Sequence, residues 1–248
     1  MTTSGTVTFN LDLNEIIEEA FERCGQELRS GYDFRTARRS LNLLTIEWAN
    51  RGINFWTIEE GSIAMVTGQA DYNLPADTID LLEHVVRTGT GQNQQDLTIT
   101  RISMPTYASI PNKNAQGRPI QVWVDRQSGA KYPPGGQPDG TDVATGIDYP
   151  KIHVWPTPNS PGSQYTFVYW RLRRIQDSGT GTATQDIPFR WIPCMTAGLA
   201  YYLSMKIPGA EGRSVALKAV YDEQFNFAAE EDRDKSPIRF VPRRMFVG

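Results

Sequence analysis

Apolar residues recur every three or four positions between Asp12 and Leu28, at Leu13, Ile16, Ile17, Ala20, Phe21, Cys24 and Leu28, which is the stripe of an amphipathic helix. Asp12 with Glu15 three residues on has the form of a capping box, and Gly31 is the predicted stop. A second helix is predicted from Asp33 as cap to Gly52 as stop, with Phe34, Ala37, Leu41, Leu44 and Trp48 on one face and Arg35, Arg38, Arg39 and Glu47 mostly elsewhere. The two should form an antiparallel helical hairpin.

From Ile53 the period changes. Short β-branched or aromatic runs (INFWTIE, SIAMV, DYNLP, ITRI, PIQVWVD, PKIHVWP, YTFVYWRLRRI) are each bounded by Gly, Pro, Asn or Asp, the pattern of a mostly antiparallel sheet region. Met104 to Ile110 reads as a short helix with Pro105 in its first turn. The stretch 128–146 is rich enough in Gly and Pro to predict a long loop. Helical spacing returns at Ile187, with Pro193 in a first turn and apolar residues nearly all round up to Pro208, so this helix should lie at the buried centre. A last helix runs from Arg213 to about Asp232 on Leu217, Val220, Tyr221, Phe225 and Ala228.

Each helix pair alone leaves an unburied stripe, so the predicted fold class is α+β. An N-terminal hairpin (1–52) and a C-terminal helix pair (187–234) would make one four-helix unit, with a β-rich insertion (53–186) and an extended tail (235–248). Composition agrees with a globular chain: 248 residues, 39% hydrophobic and 21% charged. No apolar stretch approaches the roughly 20 residues that span a bilayer, so no membrane partner is expected. The start, MTTSGTVTFN, has neither the basic region nor the apolar core of a signal peptide, so a soluble, unprocessed protein made in the cytoplasm is expected. Cys24 and Cys194 each fall in apolar helical patterns, where free buried thiols are expected.

Candidate chemistry is sparse. His84 and His153 sit singly in strand-like patterns, and two cysteines and two histidines so scattered have no metal-ligand spacing. No catalytic, metal or cofactor residue is therefore assigned. The glycines of RTGTGQNQQ and DSGTGTATQD lack the strand-before, helix-after order and the Lys-Ser/Thr end of phosphate loops, and read as hairpin tips. Glu59 and Glu60 are adjacent in a strand and face opposite ways, so they cannot flank one bond. Asp77 and Asp80 read as a capped turn, and Glu230, Glu231, Asp232 and Asp234 as a solvated helix end. Trp123, Tyr149, Trp155, Tyr165, Tyr169 and Trp170 raise one rival reading, a stacking platform for carbohydrate, although the run from Tyr165 to Trp170 is apolar on both faces, as a buried strand would be.

Charge separates the tail from the body. Setting aside Lys235, Arg239, Arg243 and Arg244 leaves 21 of the 25 basic residues against 28 acidic ones, so a body of about −7 ends in a +4 tail without one acid. Pro237 and Pro242 exclude a helix or central strand there, yet six large apolar side chains would be left in water. A tail that buries these residues on another chain is the economical reading, with fraying or folding back over its own domain as the ordinary alternatives. A pI near 5.5 argues against a dedicated nucleic-acid binder, so protein is the expected partner. The partner-binding candidates are Ile238, Arg239, Phe240, Val241, Arg243, Arg244, Met245 and Phe246.

The ordered series DFRTARRSLNLLTIEWANRGINFWTIEE, QADYNLPADTIDLLEHVVR, RISMPTYASIPNKNAQGRPIQVWVDR and PKIHVWPTPNSPGSQYTFVYWRLRRIQD, closed by a helix pair, resembles the head-to-tail adaptor proteins of tailed bacteriophages, especially the tail tubular protein A type of short-tailed phages. The resemblance implies a non-enzymatic virion protein at the capsid–tail junction. Twelve copies would form a ring between the portal protein and the tail nozzle, extending the channel for double-stranded DNA without reading its sequence. The C-terminal segment, here Ser236 to Gly248, would dock into the portal. Weighed against it, a virion-associated hydrolase would predict a polar catalytic cluster in the β region, and a sugar- or receptor-binding module would predict exposed aromatics there.

Overall fold

The structure, a computed structural model, describes residues 3–53, 55–89, 91–126, 129–131, 146–160 and 164–232. In chain order its elements begin with α1 (Leu13–Cys24), α2 (Gly31–Asn50), β1 (Ile58–Ala64), β2 (Asp71–Asn73), β3 (Thr78–Thr88), β4 (Gln95–Thr98), β5 (Thr100–Arg101) and α3 (Met104–Ala108). They continue with β6 (Gln116–Gly117), β7 (Gln121–Asp125), β8 (Gly129–Lys131), β9 (Gly146–Asp148), β10 (Lys151–Trp155), β11 (Thr157–Pro158), β12 (Tyr165–Arg173), α4 (Ile192–Ser204) and α5 (Ser214–Glu231). The class is α+β, as the change of period predicts. Two compact units arise, a helical one from residues up to Phe55 and from Ile175 onward, and a β unit from Trp56–Arg174.

In the helical unit α1 begins with the full capping box: Asp12 accepts from Glu15 N–H, and Glu15 accepts from Asp12 N–H, both at 2.9 Å. It stops at Gly25 and not at Gly31, because Gly25 takes the left-handed conformation at φ 77° and returns its N–H to the last turn. A side chain there would also meet the Arg213 guanidinium at 2.7 Å. The cap of α2 is Ser30, whose Oγ accepts from Asp33 N–H at 3.2 Å; Asp33 sits in the first turn, where its charge suits the helix dipole.

α4 is the centre, buried nearly all round and packed by α1, α2 and α5. Its Gly198 lets the neighbours close in, for a Cβ there would lie 2.9 Å from both Leu44 and the Tyr221 ring. Alanine at an ordinary helix position gains about 1 kcal/mol over glycine, whereas overpacking a filled core loses about 1–3 kcal/mol. Leu44 is fully buried and Tyr221 is 2% exposed, so neither gives way freely. Gly198→Ala should therefore lower the denaturation midpoint at unchanged m-value.

The glycine-rich segment 177–186 is not a hairpin tip. It lies along the start of α1, where Gly181 and Ala183 carbonyls accept from Asn14 N–H at 3.0 Å and Leu13 N–H at 3.1 Å. Those are donors that a helix N-terminus cannot satisfy itself. Asn42 Oδ1 accepts from Ser178 N–H at 2.8 Å. Residues 175–186 thus go with the helices and not with the β region.

The β unit has one antiparallel sheet ordered β1-β12-β3-β4 and a second ordered β2-β10-β7-β5, the latter with one parallel pairing, β5 on β7. Leu81, Val86, Phe167 and Tyr169 from the first sheet and Tyr72, Val122, Val124, Ile152 and Val154 from the second share a single core. β12 is central in its sheet, with Phe167, Val168 and Tyr169 consecutively buried, the two-faced burial its sequence predicts. INFWTIE departs from expectation: Phe55–Thr57 is a 3-10 turn and the strand starts at Ile58. The predicted loop 128–146 is bracketed by the antiparallel β8–β9 pair, while residues 132–145 lie outside the described set.

Candidate functional site

The eight tail residues assigned to partner binding, Ile238, Arg239, Phe240, Val241, Arg243, Arg244, Met245 and Phe246, lie outside the described residues. The point from which they depart is described. α5 ends at Asp232, whose N–H returns to the Ala228 carbonyl at 3.0 Å and whose side chain is 2% exposed and ion-paired to Arg190. Asp232 is therefore no part of a solvated helix end. It continues the inward stripe Tyr221, Phe225, Ala228 at spacings of four and three, a signal present in the sequence but obscured by its acidic neighbours. Arg190 belongs to the turn Phe189–Trp191 that leads into α4, so the end of α5 is tied to the central helix.

Beside this tie the aromatic residues cluster. Trp191 lies 4.9 Å from Trp48 and 5.7 Å, edge-on, from Phe225. Trp48 Nε1 donates to Tyr221 Oη at 3.0 Å, and Tyr221 donates in turn to Glu47 at 3.3 Å. Tyr202 donates to the other Glu47 oxygen at 2.7 Å. Arg51 pairs with Glu47 and lies 4.3 Å over the Phe225 ring. Burial, then the bond to Glu47, pushes the Tyr202 phenol up to about 12. Burial likewise raises Tyr221, and the Cys194 thiol to about 12, so these groups stay protonated at neutral pH and act as fixed donors or packing. Glu47 and Tyr202, read from sequence as surface and core, in fact hold α2, α4 and α5 together at this end.

In the β unit three of the carboxylates singled out by sequence, Glu59, Asp77 and Asp80, are held by arginines. Arg171, its side chain 9% exposed, donates to Glu59 at 2.5 Å, Asp77 at 2.5 Å and Thr78 at 3.0 Å. Asp80 pairs with Arg101 at 2.8 Å and Arg126 at 3.3 Å. His153 Nδ1 meets Asp71 at 2.6 Å, and its ring stacks 4.4 Å from Trp123 under Tyr107. The six aromatics do not gather: Tyr165 and Tyr169 serve the core, whereas Trp155 Nε1 donates to the Asn112 carbonyl at 2.9 Å. Among the described residues no three His, Cys, Asp or Glu form a group suited to a metal ion.

His84 on β3 stacks 5.9 Å from Phe167, and burial, with Arg101 nearby, holds its imidazole below the usual 6.5. A histidine depressed in the fold binds fewer protons folded than unfolded. Its stability contribution is full above about 6.5 and is lost as pH falls from there toward the folded value. Calorimetry between pH 7 and 5 should show a melting temperature that falls with pH, with a shallower slope in His84→Phe, which keeps the stack but cannot titrate. An unchanged slope would place the titration elsewhere.

No curated protein matches the sequence. A family model described as SU10 adaptor protein matches residues 11–242, which takes in all five helices, every strand and most of the basic tail. With a helical unit closed from both ends of the chain, a β-rich insertion, and a C-terminal segment leaving from a clamped helix end, the chain belongs to the SU10 adaptor protein family of phage head–tail adaptors.

Proposed function

We propose that the protein is a non-enzymatic adaptor whose copies form a ring between the portal and the tail nozzle of the virion, joined to the portal by residues 235–248. The family assignment over residues 11–242 carries this reading. Physical features support it. The tail is basic and apolar where the body is acidic, and the end of α5 that precedes it is fixed by Arg190 and Asp232. Ring closure with about twelve copies follows the resemblance. An acidic wall suits a channel, because it repels phosphate and does not retain passing DNA. The tail has no acidic residue to oppose docking in an electronegative crevice, and its phenylalanines, methionine and arginines are of the kind enriched in protein interfaces. Co-sedimentation of the full-length chain with portal rings tests the reading. Binding to portal rings is expected, with electron microscopy showing a second ring stacked on the first. Failure to bind portal rings at any salt concentration overturns it.

A further inference from the structure

A surface helix of a globular protein carries its polar residues outward. α5 does not. Ala216, Val220, Glu223, Phe227 and Glu230 fall on one stripe turned away from the buried Tyr221 and Ala228, and all five are exposed, Val220 by 41% and Phe227 by 57%. α2 has a similar anomaly: Arg35, Arg39, Leu43 and Ile46 share its outer stripe, with Leu43 48% and Ile46 42% exposed. Arg39, Glu223 and Glu230 enter no ion pair among the described residues.

The two stripes match in reverse order. Along α2 the order is basic then apolar; along α5 it is apolar then acidic, with Phe227 set among the acids. Laid antiparallel, residues of equal rise face each other, so Ile46 meets Ala216, Leu43 meets Val220, Arg39 meets Glu223 and Arg35 lies over the Phe227 ring. We propose that α5 of one copy docks antiparallel on α2 of the next. Both surfaces belong to one unit of the same chain but are different, so the contact is heterologous, leaves one free face of each kind on every pair, and propagates until it closes. This rests on the reading that copies assemble side by side, and names the surface through which they do so.

Cysteine cross-linking in the full-length chain tests it, since the native Cys24 and Cys194 are buried. Under mild oxidation the double variant Leu43→Cys, Val220→Cys should give a ladder of dimers, trimers and larger species that collapses on reduction, while each single variant stays monomeric. Leu43→Cys with Lys218→Cys, whose second cysteine lies off the stripe, should form the ladder at least tenfold more slowly. Adding Arg39→Glu should suppress the ladder, and adding Glu223→Arg to that chain should restore it. Absence of a ladder, dimers from Val220→Cys alone, an equal rate at position 218, or failure of the reciprocal charge swap overturns the pairing. Portal co-sedimentation of the same chains separates the two readings: a chain that ladders but ignores portal rings removes portal attachment alone, and a chain that binds them without laddering removes the α2–α5 contact alone.

Discussion

Deleting Pro237 to Gly248 should abolish stable attachment to portal rings while leaving thermal unfolding nearly unchanged, because the deleted residues follow α5, whose end Arg190 and Asp232 already close. Which tail residues matter can be decided by magnitude. Burying a phenylalanine contributes about 1.5–3 kcal/mol, so Phe240→Ala with Phe246→Ala should weaken binding by roughly two to four orders of magnitude. Arg243→Glu with Arg244→Glu should do less if those arginines lie at a solvated rim, where an ion pair contributes about 0–1 kcal/mol. Co-sedimentation of the three variants with portal rings ranks them. Undiminished binding by the truncated chain would move the contact to the helical body.

Trp48→Ala should be the most damaging single change in the helical unit, at about 3–5 kcal/mol for the lost aromatic volume. Trp48 is fully buried, packs at a tilt against Trp191 and donates to Tyr221, so the substitution both opens a cavity and takes a partner from a buried hydroxyl. Tyr221→Phe keeps the ring and orphans the indole N–H, for an expected loss of about 1–3 kcal/mol. Since the two side chains share one hydrogen bond, combining Trp48→Phe with Tyr221→Phe should cost less than the sum of the single changes. Equilibrium denaturation of the four proteins supplies the cycle, and strict additivity would show that the bond adds nothing.

Much of the scaffold was legible because it is written in periodicity. The stripe from Leu13 to Cys24, the nearly all-apolar α4 and the two-faced β12 each state their burial directly. Other features depend on partners distant in sequence. Nothing local marks Gly181 and Ala183 as acceptors for α1, or Glu47 as the meeting point of Tyr202 and Tyr221. Asp232 looked solvated because three acids surround it, yet its partner stands 42 residues earlier. The expectation that the tail seeks a partner comes from composition alone, from its prolines, bare apolar side chains and one-sided charge, and these residues lie outside the described set.

The position of α4 also has a consequence for synthesis in the cell. α1 and α2 are complete by Asn50, but the helix that buries their stripes ends at Ser204, and the strap that satisfies the first amides of α1 comes only after β12. At about 5–20 residues per second, a ribosome needs roughly 8–30 s to cover that interval. Throughout it the nascent chain carries two amphipathic helices with no core to join, while the β unit, contiguous from Trp56 to Arg174, emerges whole and free to fold. Helices made before the β unit therefore reach their native packing after it has emerged.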